Sequence, residues 1–247
     1  MSKFLIVIPA RYGSTRFEGK PLHLIAGKPM IQWVWEQASA CTLADDVIIA
    51  TDDERIAQVV TDFGGRFMMT SPEHATGTDR LIEVIQQETQ ATHIINVQGD
   101  EPLIEPELID SLIQILKEQP ELAMVTAATP FKLEEDINDA NMVKVAISQL
   151  GKALYFSRSP IPFTQTSPEG LVHYRHLGIY GYQRELLEQW NQLKPSLLEQ
   201  AEQLEQLRAL DNGIDIAVSI TESTHPGIDT LEQAQALEEW IQANHIG

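Results

Sequence analysis

An α/β fold built on a largely parallel sheet is the class that this 247-residue sequence predicts. Three observations carry it. Short apolar runs alternate with stretches whose apolar residues recur at three and four positions, as buried parallel strands alternate with amphipathic helices. A hydrophobic fraction of 43% supplies a sizeable core, sufficient for one large domain or one domain with a modest insertion. No linker, low-complexity tract or internal repeat divides the chain, so residues 1–247 read as a single domain.

The elements follow in order. An apolar run predicts a strand over 4–9, which empties into a glycine-bearing, cationic loop before a helix over 30–40. Next come a strand over 46–51 with a helix over 53–63, a strand over 66–70 with a helix over 78–89, and a strand over 93–98 with a helix over 106–118. In that last helix Leu108, Ile109, Leu112, Ile113 and Leu116 form one face, and Pro106 stands in the first turn, where a missing N–H is no loss. After a strand over 122–128 the alternation breaks between about 130 and 183. Strands over 142–148, 153–157 and 175–182 succeed one another there with little helix between, which predicts a small antiparallel excursion. Its aromatics, Tyr155, Phe156, Tyr174, Tyr180 and Tyr182, have two readings: an exposed face that forms a homodimer, or side chains that close the core. Helices over 184–192 and 199–211, a strand over 214–220 and a helix over 230–243 complete the chain.

Charge narrows the partners. A formal net charge of −19 argues against nucleic acid or an anionic membrane surface as a general partner, because both need a basic face. Positive charge is nevertheless concentrated near the start, where Lys3, Arg11, Arg16, Lys20 and Lys28 meet a single acid, Glu18. The lone cysteine, Cys41, has no disulfide partner and no zinc-ligand spacing, which suits a reducing compartment. The run Phe4 to Ile8 is too short for a signal segment or a membrane span, so the cytoplasm is the expected location.

Four segments carry chemistry. The first loop, from Pro9-Ala10-Arg11-Tyr12-Gly13-Ser14-Thr15-Arg16 to Gly19-Lys20-Pro21-Leu22, brings backbone N–H groups and cations together and so suits an anion of high charge. Its spacing is neither that of a P-loop nor that of a dinucleotide fingerprint. In the second, Ile94-Ile95-Asn96-Val97-Gln98-Gly99-Asp100-Glu101-Pro102, an apolar strand ends in a glycine and two acids. Those carboxylates belong at the carboxyl edge of the sheet, where open α/β folds bind ligands, and they read either as a turn or as Mg²⁺ ligands facing the phosphate loop. Asp229, before the last helix, reads as an N-cap or as a second metal ligand. The segment Thr76-Gly77-Thr78-Asp79-Arg80 reads as an N-capping stretch or as a close approach to a base or ribose.

Together these segments resemble a known family. The succession A-R-Y-G-S-T-R-x-x-G-K-P-L, T-G-T-D-R, N-V-Q-G-D-E-P, A-L-Y-F-S-R, R-H-L-G-I-Y-G-Y, L-E-Q-L-R and G-I-D-T is similar to that of the 3-deoxy-manno-octulosonate (Kdo) cytidylyltransferases, over about residues 3–240. The resemblance implies a Rossmann-like nucleotidyltransferase fold, a mostly parallel mixed sheet flanked by helices with the antiparallel insertion at about 130–183. It also implies Mg²⁺-dependent transfer of CMP from CTP to the anomeric hydroxyl of Kdo, with release of pyrophosphate, for lipopolysaccharide biosynthesis. Carried over by position, Arg11, Ser14, Arg16 and Lys20 would hold the triphosphate, and Pro9, Ala10, Thr78 and Arg80 would lie near cytosine and ribose. Asp100 and Asp229 would bind Mg²⁺, making Lys20, Arg16 and Asp100 the catalytic centre. Gln98, Arg158, His176, Tyr180, Glu205 and Gln206 would surround the sugar, with Arg158 facing its carboxylate and His176 either touching sugar or holding structure.

Such a reaction is mostly positioning and charge neutralisation, and it needs no histidine or cysteine nucleophile. Two departures from the family pattern stand out. Phe17-Glu18 replaces the usual Leu-Pro, which predicts a looser loop, with Glu18 either in solvent or facing an amino-bearing acceptor such as 8-amino-Kdo. Asp79 stands where glutamate is commoner. The rival readings are transfer to a related sugar acid, 8-amino-Kdo or a sialic-acid-like acceptor, and a silent nucleotide-binding module.

Overall fold

The computed structural model describes residues 2–13, 17–74, 76–222 and 227–244. Two compact units make up the chain, residues 1–110 with 225–247 and residues 111–224. In the first unit β1 (Phe4–Ala10) is followed by a 3-10 turn at Lys20–Leu22 and a two-residue hairpin, β2 (Leu24–Ile25) and β3 (Lys28–Pro29), before α1 (Met30–Ser39). Then come β4 (Asp46–Thr51), α2 (Glu54–Asp62), β5 (Phe67–Met69), α3 (Gly77–Gln87), β6 (His93–Asn96) and α4 (Pro106–Glu118). The four longer strands form a wholly parallel sheet in the order β6-β1-β4-β5, with Ile8 opposite Ile49 and Leu5 opposite Ile94. Phe4 to Ile8 are each at most 2% exposed, so β1 is covered on both faces, as its unbroken apolar run requires. The chain moves outward from β1 through β4 to β5 and then pairs β6 on the other edge of β1. That reversal opens a crevice at the carboxyl ends of β1 and β6, the usual ligand position in such sheets.

The second unit holds β7 (Met124–Pro130), β8 (Lys144–Ile147), β9 (Ala153–Ser157), β10 (Tyr174–Gln183), α5 (Arg184–Gln189) running into a 3-10 turn, α6 (Leu197–Glu202), α7 (Gln206–Asp211) and β11 (Ile216–Ile220). β11 lies parallel to β7, whereas β10 pairs antiparallel with both β7 and β8, and β8 with β9. The antiparallel excursion is therefore present. The chain returns to the first unit for α8 (Leu231–Asn244). Among the described residues no helix is long and apolar enough to cross a membrane.

The expected helix over 199–211 is two helices. Gln203 takes a left-handed φ of 53° between α6 and α7. The cause is tertiary: Arg158 Nε donates to Glu202 O at 2.7 Å and Nη2 to Gln203 O at 3.4 Å, occupying carbonyls that a continuous helix would offer to the next turn. Helix 184–192 likewise ends at Gln189, its last turn tightening to 3-10 geometry. The hairpin β2–β3 is too short to leave a periodic trace. Of the five excursion aromatics, Phe156 and Tyr182 are buried in the core, and Tyr155, Tyr174 and Tyr180 are partly covered. Cys41 is a structural thiol: burial and the adjacent Asp110, which accepts its hydrogen bond at 2.8 Å, push it up to about 11.

Candidate active site

A cavity of about 280 Å³ lies in the first unit at the crevice, and five stretches of chain line it. Pro9, Ala10 and Arg11 come from the end of β1, Lys20 and Pro21 from the 3-10 turn, His74, Thr76, Gly77 and Arg80 from the start of α3, and Gln98, Gly99 and Asp100 from the turn after β6, with Asp229 ahead of α8. Each stretch is there because a parallel strand has ended and the chain is turning back.

The centre of the site is Lys20. Its Nζ donates to Asp100 Oδ2 at 2.6 Å and to the Ile228 carbonyl at 2.9 Å, and lies 3.4 Å from Asp229 Oδ1. Asp100 occupies a turn closed by Glu101 N donating to Gln98 O, and its own carbonyl accepts from Ile228 N at 2.8 Å, which fastens the Asp229 segment beside it. The turn reading of Asp100 holds, and this turn also presents its carboxylate to the cavity. Burial and the charge of Asp100 push Glu101 up to about 8. The N-cap reading of Asp229 fails for a specific reason. Thr230 takes that role, its Oγ1 accepting from Gln233 N at 3.3 Å while Gln233 Oε1 accepts from Thr230 N at 3.1 Å. The Asp229 carboxylate is left to face Lys20.

Two carboxylates and a carbonyl meeting at one point form an oxygen-only donor set that fits a hard divalent cation. Among the described residues no group of three or more His, Cys, Asp or Glu side chains is placed to hold a metal. An ion here would therefore need further ligands from substrate or water.

The start of α3 does two things at once. Thr76 Oγ1 accepts from Asp79 N and Asp79 Oδ2 accepts from Thr76 N, both at 3.1 Å, a reciprocal capping box. Thr76 and Gly77 also line the cavity, whereas Thr78 is buried in the first turn and is not part of the lining. Arg80 is only 4% exposed, held by Asp52 at 2.8 Å and by Thr70 Oγ1. His74 Nε2 lies 2.5 Å from Glu83 Oε2, which also accepts from Ser71 N at 2.8 Å. Burial pushes the Glu83 carboxyl up, but those two partners outweigh it and hold the group below its usual range.

The phosphate-type loop is anchored at both ends. Gly19 takes a left-handed φ of 67°, its N–H donates to Tyr12 O at 3.0 Å, and an added Cβ would come within 3.1 Å of the Tyr12 ring. Across that ring lies the Arg55 guanidinium, 3.3 Å from the centroid and itself gripped by Asp53. Ser14 and Arg16, expected to hold triphosphate, lie outside the described residues.

In the second unit His176, Tyr180 and Glu205 come together. The His176 ring packs against Phe156 and Tyr180, with centroids at 5.0 and 5.4 Å, and its Nε2 lies 3.0 Å from Thr126 Oγ1. Burial pushes the imidazole down to about 3. Burial, with Tyr182 and Glu205 nearby, raises Tyr180 well above its usual value. Gln206, 5% exposed, has no partner for its Nε2 among the described residues. Arg158 differs from expectation: Nε, Nη1 and Nη2 already donate to the carbonyls of Glu202, Ala140 and Gln203, leaving two of its five N–H groups uncommitted in those bonds. Gln98 lines the first unit's cavity beside Gly99.

The His176 environment has a pH consequence. The folded state excludes a proton that the unfolded chain binds below about pH 6.5, so this site removes stability progressively as pH falls toward 3 and none above 6.5. Urea midpoints measured from pH 7 to pH 4 should fall less steeply for His176→Gln than for the unsubstituted protein.

The comparisons with known proteins agree with the geometry. The family model described as Cytidylyltransferase matches residues 5–216. The 3-deoxy-manno-octulosonate cytidylyltransferase of Leptospira interrogans (serovar Lai) is 50% identical over 232 residues, 93% of this chain and 92% of its own. The chain belongs to the cytidylyltransferase family, among the 3-deoxy-manno-octulosonate cytidylyltransferases. The Fusobacterium nucleatum relative of the same name is 45% identical over 244 residues, 99% of each chain. A solved structure described as CMP:2-keto-3-deoxy-manno-octonic acid synthetase complexed with CTP is 43% identical, with a TM-score of 0.94 over 98% of this chain and all of that one.

The two departures from the cytidylyltransferase pattern now have physical accounts. Phe17 packs on the buried cluster of Ile25, Met30, Trp33, Ile228, Ala234 and Ile241 and meets His23 edge-on at 5.1 Å, so an aromatic anchor does the restraining that a proline would do. Glu18 is exposed, and its charge acts on Arg55. Asp79 is long enough to complete the capping box. The lining residues His74, Gly99 and Pro21 were not singled out from sequence as contacts; the one signal for His74 is its place just ahead of a capping box.

Proposed function

We propose that the chain transfers CMP from CTP to the anomeric hydroxyl of Kdo in a Mg²⁺-dependent reaction that releases pyrophosphate. The observation that carries this reading is the convergence of Lys20, Asp100 and Asp229 in a cavity that also presents Arg11 and Arg80. Pro9 and Ala10, with Thr78 and Arg80, would sit by cytosine and ribose, and Arg11, Ser14, Arg16 and Lys20 by the triphosphate. Asp100 and Asp229 would hold Mg²⁺, which when bound polarises phosphate oxygens and lowers the pKa of the attacking hydroxyl. Gln98, Arg158, His176, Tyr180, Glu205 and Gln206 would hold the sugar acid. The unpartnered Gln206 Nε2 supports that role, as do the two N–H groups of Arg158 that its carbonyl bonds do not use.

The anomeric oxygen attacks the α-phosphorus, the bond from that phosphorus to the bridging oxygen breaks, its electron pair leaves with pyrophosphate, and the hydroxyl proton passes to water. Lys20 and the arginines neutralise the charge that builds on the leaving group. His176, with a pKa near 3, is too weak a base to take the proton at neutral pH, and a neutral ring suits a positioning contact instead. The same reading makes the protein a cytoplasmic contributor to lipopolysaccharide biosynthesis and a homodimer. Exposed Leu154, Phe163, Leu171 and Val172 in the second unit support the dimer.

Pyrophosphate release tests the reaction. We expect turnover with CTP, Kdo and Mg²⁺ together, and little with other nucleoside triphosphates. Turnover only with 8-amino-Kdo or a sialic acid would move the acceptor, and failure of CTP with every sugar acid would overturn the reading.

A further inference from the structure

We infer that Lys20 is the resident counter-cation of the Asp100–Asp229 pair and must leave before a divalent metal ion enters, so that metal binding waits for a nucleotide whose phosphates draw the lysine away. This inference rests on the function proposed above and adds an order of events to it.

The geometry is that of an occupied cation site. Three oxygens surround Nζ, from Asp100 at 2.6 Å, Ile228 O at 2.9 Å and Asp229 at 3.4 Å, matching the three N–H donors of an ammonium. The Lys20 side chain is 14% exposed, against 31% and 45% for the two carboxylates, so the cation sits inward of both anions. A hard divalent ion binds carboxylate oxygen at about 2.0–2.1 Å. Bound to the same two oxygens it would touch the ammonium, and two cations at contact in a partly dry site repel strongly. The three-oxygen site therefore takes either Lys20 or the metal.

The exchange is mechanically simple. Lys20 starts a 3-10 turn whose backbone is fixed by Gly19 and by Leu22 N donating to Gly19 O at 2.9 Å, while its four-carbon stem turns freely. A triphosphate in the cavity offers Nζ a more highly charged partner than two carboxylates. Once Lys20 swings to it, the three oxygens that held the ammonium become available to a metal ion. Linkage then requires the metal to tighten nucleotide binding by the factor with which nucleotide tightens the metal. Such couplings span roughly 5- to 150-fold.

Mn²⁺, with free ion measured by electron paramagnetic resonance, is the probe. Without nucleotide, Lys20→Met and Lys20→Gln should bind Mn²⁺ about tenfold or more tighter than the unsubstituted protein. Their melting temperatures should rise with Mn²⁺ where the unsubstituted protein's barely moves. Adding a non-hydrolysable CTP analogue should tighten Mn²⁺ on the unsubstituted protein and add much less in the variants. Variants that bind Mn²⁺ no tighter than the unsubstituted protein overturn the inference while leaving the proposed function standing. Absence of any analogue binding by the unsubstituted protein would instead sink that function. Should the variants not fold, the assigned Lys20 amine resonance of the unsubstituted protein decides. It should report an ammonium held by oxygens in the free state and released from them when analogue and Mg²⁺ are both added; an amine unmoved by that addition refutes the exchange.

Discussion

Asp100→Asn should lower kcat/KM by about 10³-fold or more, the largest loss expected from a single substitution in this protein. The side chain keeps its shape and its place in the Gln98–Glu101 turn, but the negative charge 2.6 Å from Lys20 is gone. If Asp100 is a direct ligand of the metal, the loss should exceed the ~10- to 100-fold typical of residues that only support ligands. Asp229→Asn should cost less. Its oxygen lies 3.4 Å from Nζ, and its side chain is 45% exposed against 31% for Asp100, so solvent screens its charge more. Steady-state kinetics at saturating Mg²⁺ give the order, with thermal melting as a control. Lys20 retains the Ile228 carbonyl together with Asp229 in the first variant and with Asp100 in the second, so neither should unfold. Equal losses for the two variants, or an Asp100→Asn loss below tenfold, would remove Asp100 from the catalytic centre.

Gly99→Ala should damage both stability and turnover. The added Cβ would stand 2.7 Å from the Pro9 carbonyl, closer than real contacts allow, with Ile31 and Ile8 side chains at 3.6 and 3.7 Å behind it. Pro9 belongs to β1 and is paired opposite Ala50, so its backbone cannot step aside without disturbing the sheet. The turn must move instead, at a cost of about 1–3 kcal/mol. That movement carries Gln98 and Asp100 with it, and a displacement of about 1 Å at a reacting group costs on the order of 10²-fold in rate. A lowered melting temperature with a reduced kcat is the expected pair of results. Unchanged kinetics at a lowered melting temperature would mean that the turn tolerates the shift without moving Asp100.

Much of this site was legible because its parts are contiguous. Strand ends carry their loop residues with them, so Pro9 to Arg11, Lys20 and Gln98 to Asp100 could be placed at the carboxyl edge of a sheet from the apolar runs before them. What stayed closed were the choices between equally good local roles. Asp229 and Thr230 are both fine helix caps by residue type, and only the Gln233 amide, bonding back to Thr230, shows which one caps. Thr76 looked like either a cap or a contact; it caps α3 and also lines the cavity. Gln203 carries no glycine or proline signal, yet the helix breaks there because an arginine 45 positions earlier bonds to its carbonyl.

By itself, then, the sequence determined the alternation of strand and helix, the parallel core around β1, the cation-bearing loop and the acid-bearing turn, because each depends on neighbours within a few residues. Tertiary structure alone decided that Phe17 replaces a proline's restraint by packing, that the Arg158 guanidinium is largely committed to backbone carbonyls, and that Lys20 lies between two carboxylates 80 and 209 positions away. Those outcomes depend on which distant atoms share a few ångströms of space, and local pattern carries no record of that.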